Sequence, residues 1–105
     1  MNIYIAGPMT GYADHNFPAF DAAQARFEAQ GYRVLSPAQL DRAVGVFEDT
    51  VDLPENFLRE AILRDVMTIF FCKEIHMLRG WESSKGARAE KALAEWLGMK
   101  VSYES

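Results

Sequence analysis

Residues 2–8 read Asn-Ile-Tyr-Ile-Ala-Gly-Pro and carry the clearest strand signal in the chain. A β-branched and aromatic run that is closed by Gly-Pro indicates a buried strand running into a loop. Shorter apolar runs at Tyr32–Leu35, Glu74–Leu78 and Lys100–Tyr103 predict three further strands. The run Ile69–Cys72 could itself form a strand, but we prefer Glu74–Leu78 for the third one.

Helical signals separate these strands. Asn16 and Pro18 predict the start of a first helix, because Asn can cap free N–H groups and Pro fits the first turn, and Gly31 predicts its end. Apolar residues at helical spacing predict a second helix over Glu55 to about Phe71. Ser83 or Ser84 predicts the cap of a third helix, which ends near Gly98.

Strands that alternate with helices of this length predict a parallel sheet with right-handed crossovers and helices on both faces. We therefore expect one α/β domain over residues 1–105, a three-layer sandwich of the flavodoxin or Rossmann type with four or five parallel strands. With the strand order 2-1-3-4, the order reverses between the first and third strands. Ligands bind at such a point, which predicts one cleft lined by Gly7–Tyr12 and Arg79–Ser84.

The segment Ser36–Pro54 shows no persistent period. A stretch of this length without regular structure is typical of a lid or binding loop, here with a helical turn near Ala38–Arg42. Three apolar residues in it could close over a base: Val44, Val46 and Phe47. We expect this segment to be more mobile than the helices.

Composition limits the function. The chain has 105 residues, half of them hydrophobic, and 11 Lys and Arg against 15 Asp and Glu give a net charge of -4. This balance argues against a polymeric nucleic acid partner. No apolar run is long enough for a membrane span, so we expect a soluble, cytoplasmic protein. The single cysteine, Cys72, excludes an internal disulfide, and with two histidines it shares no metal-ligand spacing.

Two carboxylates interrupt predicted helix faces that should be apolar. Glu90 lies among apolar neighbours in the third predicted helix, and Asp65 lies between Ile62 and Ile69 in the second. A buried, unpaired carboxylate is costly, and such a cost is common where a perturbed acid or base is needed. The alternative is that each points to water or pairs with a base such as Arg64.

Three other residues have less distinctive patterns. His15 and His76 are most simply a loop residue and a residue on a strand face. Trp81 follows the third predicted strand, where a tryptophan either stacks on a bound base or covers the core. Both interpretations of Trp81 stay open.

The run Ile3–Gly11, together with the pattern Ser84-x-Gly86-x-x-x-Glu90, resembles the nucleoside 2-deoxyribosyltransferase superfamily, which includes the 2'-deoxynucleoside 5'-phosphate N-hydrolases. Three further segments are most similar to a small phage and bacterial branch of that superfamily: Asn16–Phe20, Arg64-Asp65 and Gly80–Arg88. The resemblance covers nearly the whole chain.

This resemblance implies cleavage of the N-glycosidic bond of a nucleoside or nucleoside 5'-monophosphate, without a metal or redox cofactor. Glu90 matches the nucleophile, Asp65 the acid that protonates the leaving base, and Tyr4 the hydroxyl beside the nucleophile. The reaction passes through an oxocarbenium-like centre, so one carboxylate must be ionised and the other protonated. For a double displacement, we expect the two carboxyl groups to approach to roughly 5 to 5.5 Å.

The resemblance also implies a set of substrate-binding residues in the two loops and the helix start: Gly7, Met9, Trp81, Ser84 and Gly86. The N–H groups at the start of the third helix suit a 5'-phosphate. Small proteins of this fold tend to associate, which predicts a homodimer.

One departure favours a second interpretation. Where the monophosphate hydrolases carry Ser and Arg in the first loop, this chain has Pro8 and Thr10, so part of the expected phosphate contact is missing. The alternative function is therefore a nucleotide-binding module, a sensor or sequestering protein, that keeps the pocket without turnover.

Overall fold

A computed structural model describes all 105 residues, which form one α/β domain. Four strands make a sheet: β1 Asn2–Ala6, β2 Arg33–Leu35, β3 Glu74–Met77 and β4 Lys100–Tyr103. Four α-helices surround it: α1 Phe17–Ala29, α2 Pro37–Ala43, α3 Phe57–Phe70 and α4 Lys85–Trp96. Short 3₁₀ turns lie at Ala13–Asn16 and Trp81–Ser83. No helix combines the length and the apolar character needed to cross a membrane.

The sheet has the order β2-β1-β3-β4, and every neighbouring pair of strands is parallel. The expected order, with its reversal between the first and third strands, is confirmed. The alternative strand at Ile69–Cys72 is wrong, because Ile69 and Phe70 are the last residues of α3. The sheet has four strands, which is the smaller of the two expected numbers.

The loops after β1 and β3 lie side by side. Gly80 has a φ of +91°, and a Cβ built on it would lie 2.8 Å from the Tyr12 hydroxyl oxygen. Tyr12 belongs to the loop after β1, so glycine at position 80 permits both the backbone conformation and the close approach of the two loops. The two loops therefore share one edge of the sheet, as the predicted cleft requires, but neither cavity described below is lined by both loops, so the cleft itself stays a prediction.

Each face of the sheet carries its own core, because alternate side chains of a strand point to opposite faces. Ile3 and Ile5 of β1 face α1, whereas Tyr4 and Ala6 face the side covered by α3 and α4. The α1-side core contains Ile3, Ile5, Phe17, Phe20, Ala23, Val34, Ala38, Val46 and Leu78. The α4-side core contains Tyr4, Ala6, Ile69, Cys72, Ile75, Met77, Ala87 and Ala94.

The two predicted helix caps behave differently. Ser84 caps α4, and its hydroxyl oxygen accepts a hydrogen bond from the Ala87 backbone N–H at 3.2 Å, as predicted. Asn16 precedes α1 but its side chain caps nothing. Its backbone is left-handed, with φ +59°, and its Nδ2 donates to the Pro8 carbonyl oxygen at 2.8 Å. Asn16 therefore fixes the loop after β1, and the capping role predicted for it is wrong.

The segment 36–54 contains more regular structure and more contacts than its sequence predicts, and its mobility stays a prediction. The expected helical turn is a complete short helix, α2. Val46 is 3 % exposed and belongs to the α1-side core, so it does not close over a ligand as expected. The Arg42 guanidinium binds Asp21 of α1 and also Glu48 of the following loop. Val44 and Phe47 remain exposed.

The faces of α3 and α4 also correct the sequence interpretation. Of the apolar positions in α3, only Ile69 is buried, and Ile62 and Val66 face outward. The inward face of α3 carries polar side chains instead. In α4 the fully buried positions are Ala87 and Ala94; of the two leucines that the periodicity favours, Leu93 packs against the same core and Leu97 is exposed.

Candidate active site

Tyr4 is the centre of a polar cluster on the α4 side of the sheet. Its side chain is fully buried, and its hydroxyl donates a hydrogen bond to Glu90 Oε2 at 2.8 Å. A buried tyrosine combines a large apolar ring with a hydroxyl that needs a partner. The ring fills the core beneath α4 while the hydroxyl reaches the carboxyl group, so β1 and α4 jointly position Glu90.

Glu90 has no cationic partner in the structure. It lies in the second turn of α4, half-buried, and Tyr4 donates its only side-chain hydrogen bond. Burial, and next the negative charge of Asp65, raise the pKa of Glu90 to about 8, although the Tyr4 hydroxyl and the Arg64 charge act in the opposite direction. Loss of hydration disfavours the ionised form of any carboxyl group. Glu90 therefore keeps its proton near neutral pH.

Asp65 lies beside Glu90 but is not unpaired. The Arg64 guanidinium donates to Asp65 Oδ1 through Nε at 3.0 Å and through Nη2 at 2.8 Å. Burial raises the pKa of Asp65, and the Arg64 charge opposes that increase. The Tyr4 hydroxyl is also close enough to help lower the pKa of Asp65. The expectation of an unpaired carboxylate at position 65 is wrong, and the alternative of a pair with Arg64 is confirmed.

Asp41 extends this cluster and was not predicted from the sequence. Arg64 Nη2 donates to Asp41 Oδ1 at 2.8 Å, so one guanidinium joins two aspartates. Asp41 is 5 % exposed, and burial raises its pKa. It lies on α2, far from Arg64 in sequence, and nothing local sets it apart, because α2 also contains the charged Arg42. The contact depends on how α2 and α3 pack.

The cluster can hold and move a proton. Three carboxyl groups and one guanidinium share a region where burial raises the pKa of each acid, and it raises the pKa of the Tyr4 hydroxyl as well. Glu90 is the natural proton carrier, because no cation contacts it. Asp65 is the more readily ionised partner, because Arg64 stabilises its charge. In the structure Glu90 is thus the protonated group and Asp65 the ionised one, whereas the resemblance implies an ionised Glu90 and a protonated Asp65.

Two of the expected binding residues lie in the loop after β1 and contact the α1-side core. A Cβ on Gly7 would lie 2.8 Å from Leu78 Cβ, so glycine is required there for packing. Met9 is half-buried and packs against the same core. These contacts explain both residues without a ligand, and they hold the loop against the end of the sheet.

The other expected binding residues surround the start of α4. Trp81 packs against the α4-side core, with its ring 5.8 Å from Tyr103 and with the Lys91 ammonium 5.2 Å above it. These contacts fit the interpretation in which Trp81 covers the core. Ser84 caps the helix, and Gly86 is exposed with open space where a Cβ would lie. A ligand could therefore approach the backbone at Gly86 closely.

Two cavities are found near these elements. A cavity of about 280 Å³ touches the carboxyl cluster through Arg64 and is lined by Val44, Pro54, Phe57, Glu60, Ala61 and Arg64. A larger one, about 420 Å³, lies on the α1 side around Arg26, His76 and Arg79. Neither cavity is lined by any of the three acids, so the carboxyl cluster alone marks the candidate site. No group of three or more potential ligands is placed to hold a metal ion.

The fold and the cluster together define the chain as a small parallel α/β protein with a buried acid pair beside its central strand. Residues 1–103 match the family that is described as a domain of unknown function, DUF4406, and the chain belongs to that family. No curated protein is similar enough to count as a match. The chemistry of the site must therefore be argued from its own residues.

Proposed function

We propose that this protein cleaves the N-glycosidic bond of a nucleoside or a nucleoside 5'-monophosphate, by hydrolysis or by transfer of the sugar. The observation that carries the proposal is the 2.8 Å hydrogen bond between the Tyr4 hydroxyl and Glu90, with Asp65 as the adjacent carboxylate. Glycoside cleavage needs two carboxyl groups that divide the roles of acid and nucleophile. A buried pair with raised pKa values supports that division.

The proposed reaction starts with a proton on Glu90 and an ionised Asp65, and the Tyr4 hydroxyl lies close to both. When a sugar occupies the site, positive charge developing at C1' favours the ionised form of Glu90, and the proton passes to Asp65. The C1'–N bond breaks with its electron pair going to the base, which takes the proton from Asp65. A carboxylate oxygen of Glu90 forms a bond to C1'. Water or a second base then displaces Glu90, and Asp65 accepts the proton that this step releases.

Tyr4 has a positioning role in this scheme. Its hydroxyl donates to Glu90, which favours the ionised carboxylate that must attack C1'. At the other end of the substrate, the start of α4 supports binding of a 5'-phosphate. The Ala87 N–H is already used by Ser84, so a phosphate would contact the N–H groups of Lys85 and Gly86.

The direct test is to incubate the protein with a panel of nucleosides and 5'-monophosphates and to detect the released base by chromatography. Glu90→Ala should abolish base release but retain ligand binding. Asp65→Asn should slow release most for poor leaving bases, because an amide cannot deliver the proton. Glu95→Gln is the matched control, since Glu95 lies on the same helix and pairs only with Lys91 on the surface. Full activity of Glu90→Ala on a substrate that the native protein cleaves would exclude this mechanism.

A specific observation favours a second candidate, a nucleotide-binding module without turnover. In the unliganded chain Glu90 keeps its proton near neutral pH and Arg64 holds Asp65, so no ionised nucleophile is ready. Titration calorimetry with the same panel separates the two functions. Binding that is never followed by base release would support the module and contradict the enzyme.

A further inference from the structure

The outer face of α3 carries an unusual run of exposed apolar side chains. Their exposed fractions range from 39 % for Val66 to 72 % for Phe71. The set comprises Leu58, Ile62, Leu63, Val66, Met67 and Phe70 of α3, and Phe71 directly after its end. Between residues 62 and 71 the only charged side chains are Arg64 and Asp65, which are paired on the inner face. The outer face therefore has no charge over this stretch, and the exposed Arg59 lies on the same face one turn before Leu63.

These residues form one surface because of their spacing. Ile62, Val66 and Phe70 recur every four residues, and Leu63 and Met67 lie beside them on the next row. On the opposite side, α3 places only Ile69 fully in the core. The inner face of α3 carries the polar residues Arg64, Asp65 and Thr68, so its main apolar stripe points away from the sheet, and such a stripe is normally covered by another element or another molecule. The fold of a single chain buries only one side of α3.

The area of this surface fits a stable interface. If a large apolar side chain presents about 200 Å² when fully exposed, the seven together expose roughly 800 Å². The largest apolar patch on a typical monomer is about 300–600 Å². A standard protein interface buries about 800 Å² on each partner. The outer face of α3 alone therefore supplies what one side of such an interface needs.

We infer that α3 is the interface of a symmetric homodimer, in which it packs against α3 of a second copy across a two-fold axis. A symmetric interface needs a surface that is complementary to itself. The stripe from Ile62 to Phe70 meets this need because it carries no charge, and in antiparallel packing the exposed Arg59 at its start faces the far end of the other helix and not a second Arg59. In antiparallel packing the residues near the middle of the stripe, such as Val66, lie close to the axis.

The dimer also positions the proposed active site, and this consequence rests on the proposed function. Arg64 and Asp65 lie on the inner face of the helix whose outer face meets the second copy. Within one chain α3 has a single fully buried side chain, Ile69. Packing against a second copy then limits the movement of α3 and keeps Asp65 beside Glu90. Arg64 and Asp65 are thus held in place from both sides of the helix.

The test measures mass in solution by sedimentation equilibrium. One chain has a mass of 11.9 kDa, so the native protein should have twice that mass at micromolar concentration. Phe70→Glu and Val66→Glu should weaken the dimer on the order of 100-fold or more, because a charge would be buried at the centre of the interface. Trp96→Glu is the matched control: Trp96 is 89 % exposed on α4, and its substitution should leave the dimer intact.

A cross-linking measurement covers the case in which a glutamate variant does not fold. Val66→Cys, made together with Cys72→Ala, should form a disulfide between two copies under mild oxidation, whereas Val51→Cys in the same background should not. A native monomer at these concentrations, or a dimer that survives both glutamate variants in folded form, would overturn the inference. The mass is measured without any substrate, so an inactive dimer would contradict only the proposed function, and an active monomer only the interface.

Discussion

The two faces of the central sheet share strand β1, but they carry different kinds of side chain. Ile3 and Ile5 of β1 pack into an apolar core beneath α1, whereas Tyr4, between them in sequence, brings a hydroxyl to Glu90 on the other face. The α1 side stabilises the fold through burial of apolar area. The α4 side includes a group of acids whose charged forms burial disfavours. Alternate residues of one strand therefore face an apolar core on one side and, on the other, a second core that includes a cluster of acids.

The helices on the two faces differ in the same way. α1 buries Phe17, Phe20 and Ala23 against the sheet. α3 buries only Ile69 and leaves its larger apolar side chains outside. The helix on the α1 face thus buries its large apolar side chains within one chain, whereas α3 leaves most of its own exposed.

The largest expected effect compares a phenylalanine from each face. Phe20→Ala should lower the free energy of unfolding by about 3–5 kcal/mol, because it leaves a cavity in the α1-side core. Phe70→Ala removes a ring that is 64 % exposed in one chain, so its cost should appear only at concentrations where the dimer forms. Urea unfolding at two protein concentrations distinguishes the cases. An equal, concentration-independent loss for both variants would refute the difference between the faces.

The second prediction concerns the pH dependence that the acid pair gives to stability. The pKa of Glu90 is raised from 4.5 to about 8 in the folded chain, so between these values the folded state holds a proton that the unfolded state has lost. Stability should therefore fall as pH rises from about 5 to about 8, by an amount on the order of a few kcal/mol.

The comparison with Glu90→Gln isolates this effect. The amide mimics the protonated carboxyl group and does not titrate, so the variant should lose the downward slope and be more stable than the native chain near pH 8. Chemical unfolding across this pH range measures both proteins, with Glu95→Gln as the control on the exposed side of α4. The same slope in native protein and Glu90→Gln would show that Glu90 is already ionised at neutral pH.

The elements that local signals define were predictable from the sequence. The β-branched run at β1 and the serine cap of α4 act within a few residues, and both are found where expected. The inward position of Glu90 was also predictable, because it lies among apolar residues at helical spacing. The strand order followed from general rules for parallel sheets.

Most of the predictions that failed depend on contacts between distant segments. The apolar spacing in α3 correctly predicted a helix, but it wrongly predicted that Ile62 and Val66 face the core. Periodicity alone does not tell a face that packs in the core from an apolar face that points outward. Asp41 and its bond to Arg64 join α2 and α3, and no local pattern reports that packing. The assignment of Asp65 as unpaired failed for a different reason: Arg64 is its sequence neighbour, and helical spacing rules consider only residues three or four apart.

The third prediction uses two glycines from the predicted binding segments to separate packing from ligand access. Gly7→Ala should destabilise the fold by about 1–3 kcal/mol, because its Cβ would overlap Leu78 at 2.8 Å. Thermal unfolding measures the loss. Leu78→Ala made in the Gly7→Ala background should recover part of it relative to the sum of the two single variants, since it removes the overlapping atoms beyond Cβ. Additive losses would show that the overlap is not the cause.

The smallest effect on stability, and the sharpest comparison with Gly7, is expected at Gly86. A Cβ there meets nothing within 4 Å, and Gly86 lies inside the first turn of α4, so Gly86→Ala should stabilise the fold by up to about 1 kcal/mol. If a 5'-phosphate contacts the backbone at the start of α4, the same methyl group should obstruct it. KM for 5'-monophosphates should then rise, while kcat and the KM for nucleosides stay close to native values. A more stable variant with unchanged kinetics on every substrate would place the phosphate elsewhere, because the open space at Gly86 would then have no part in binding.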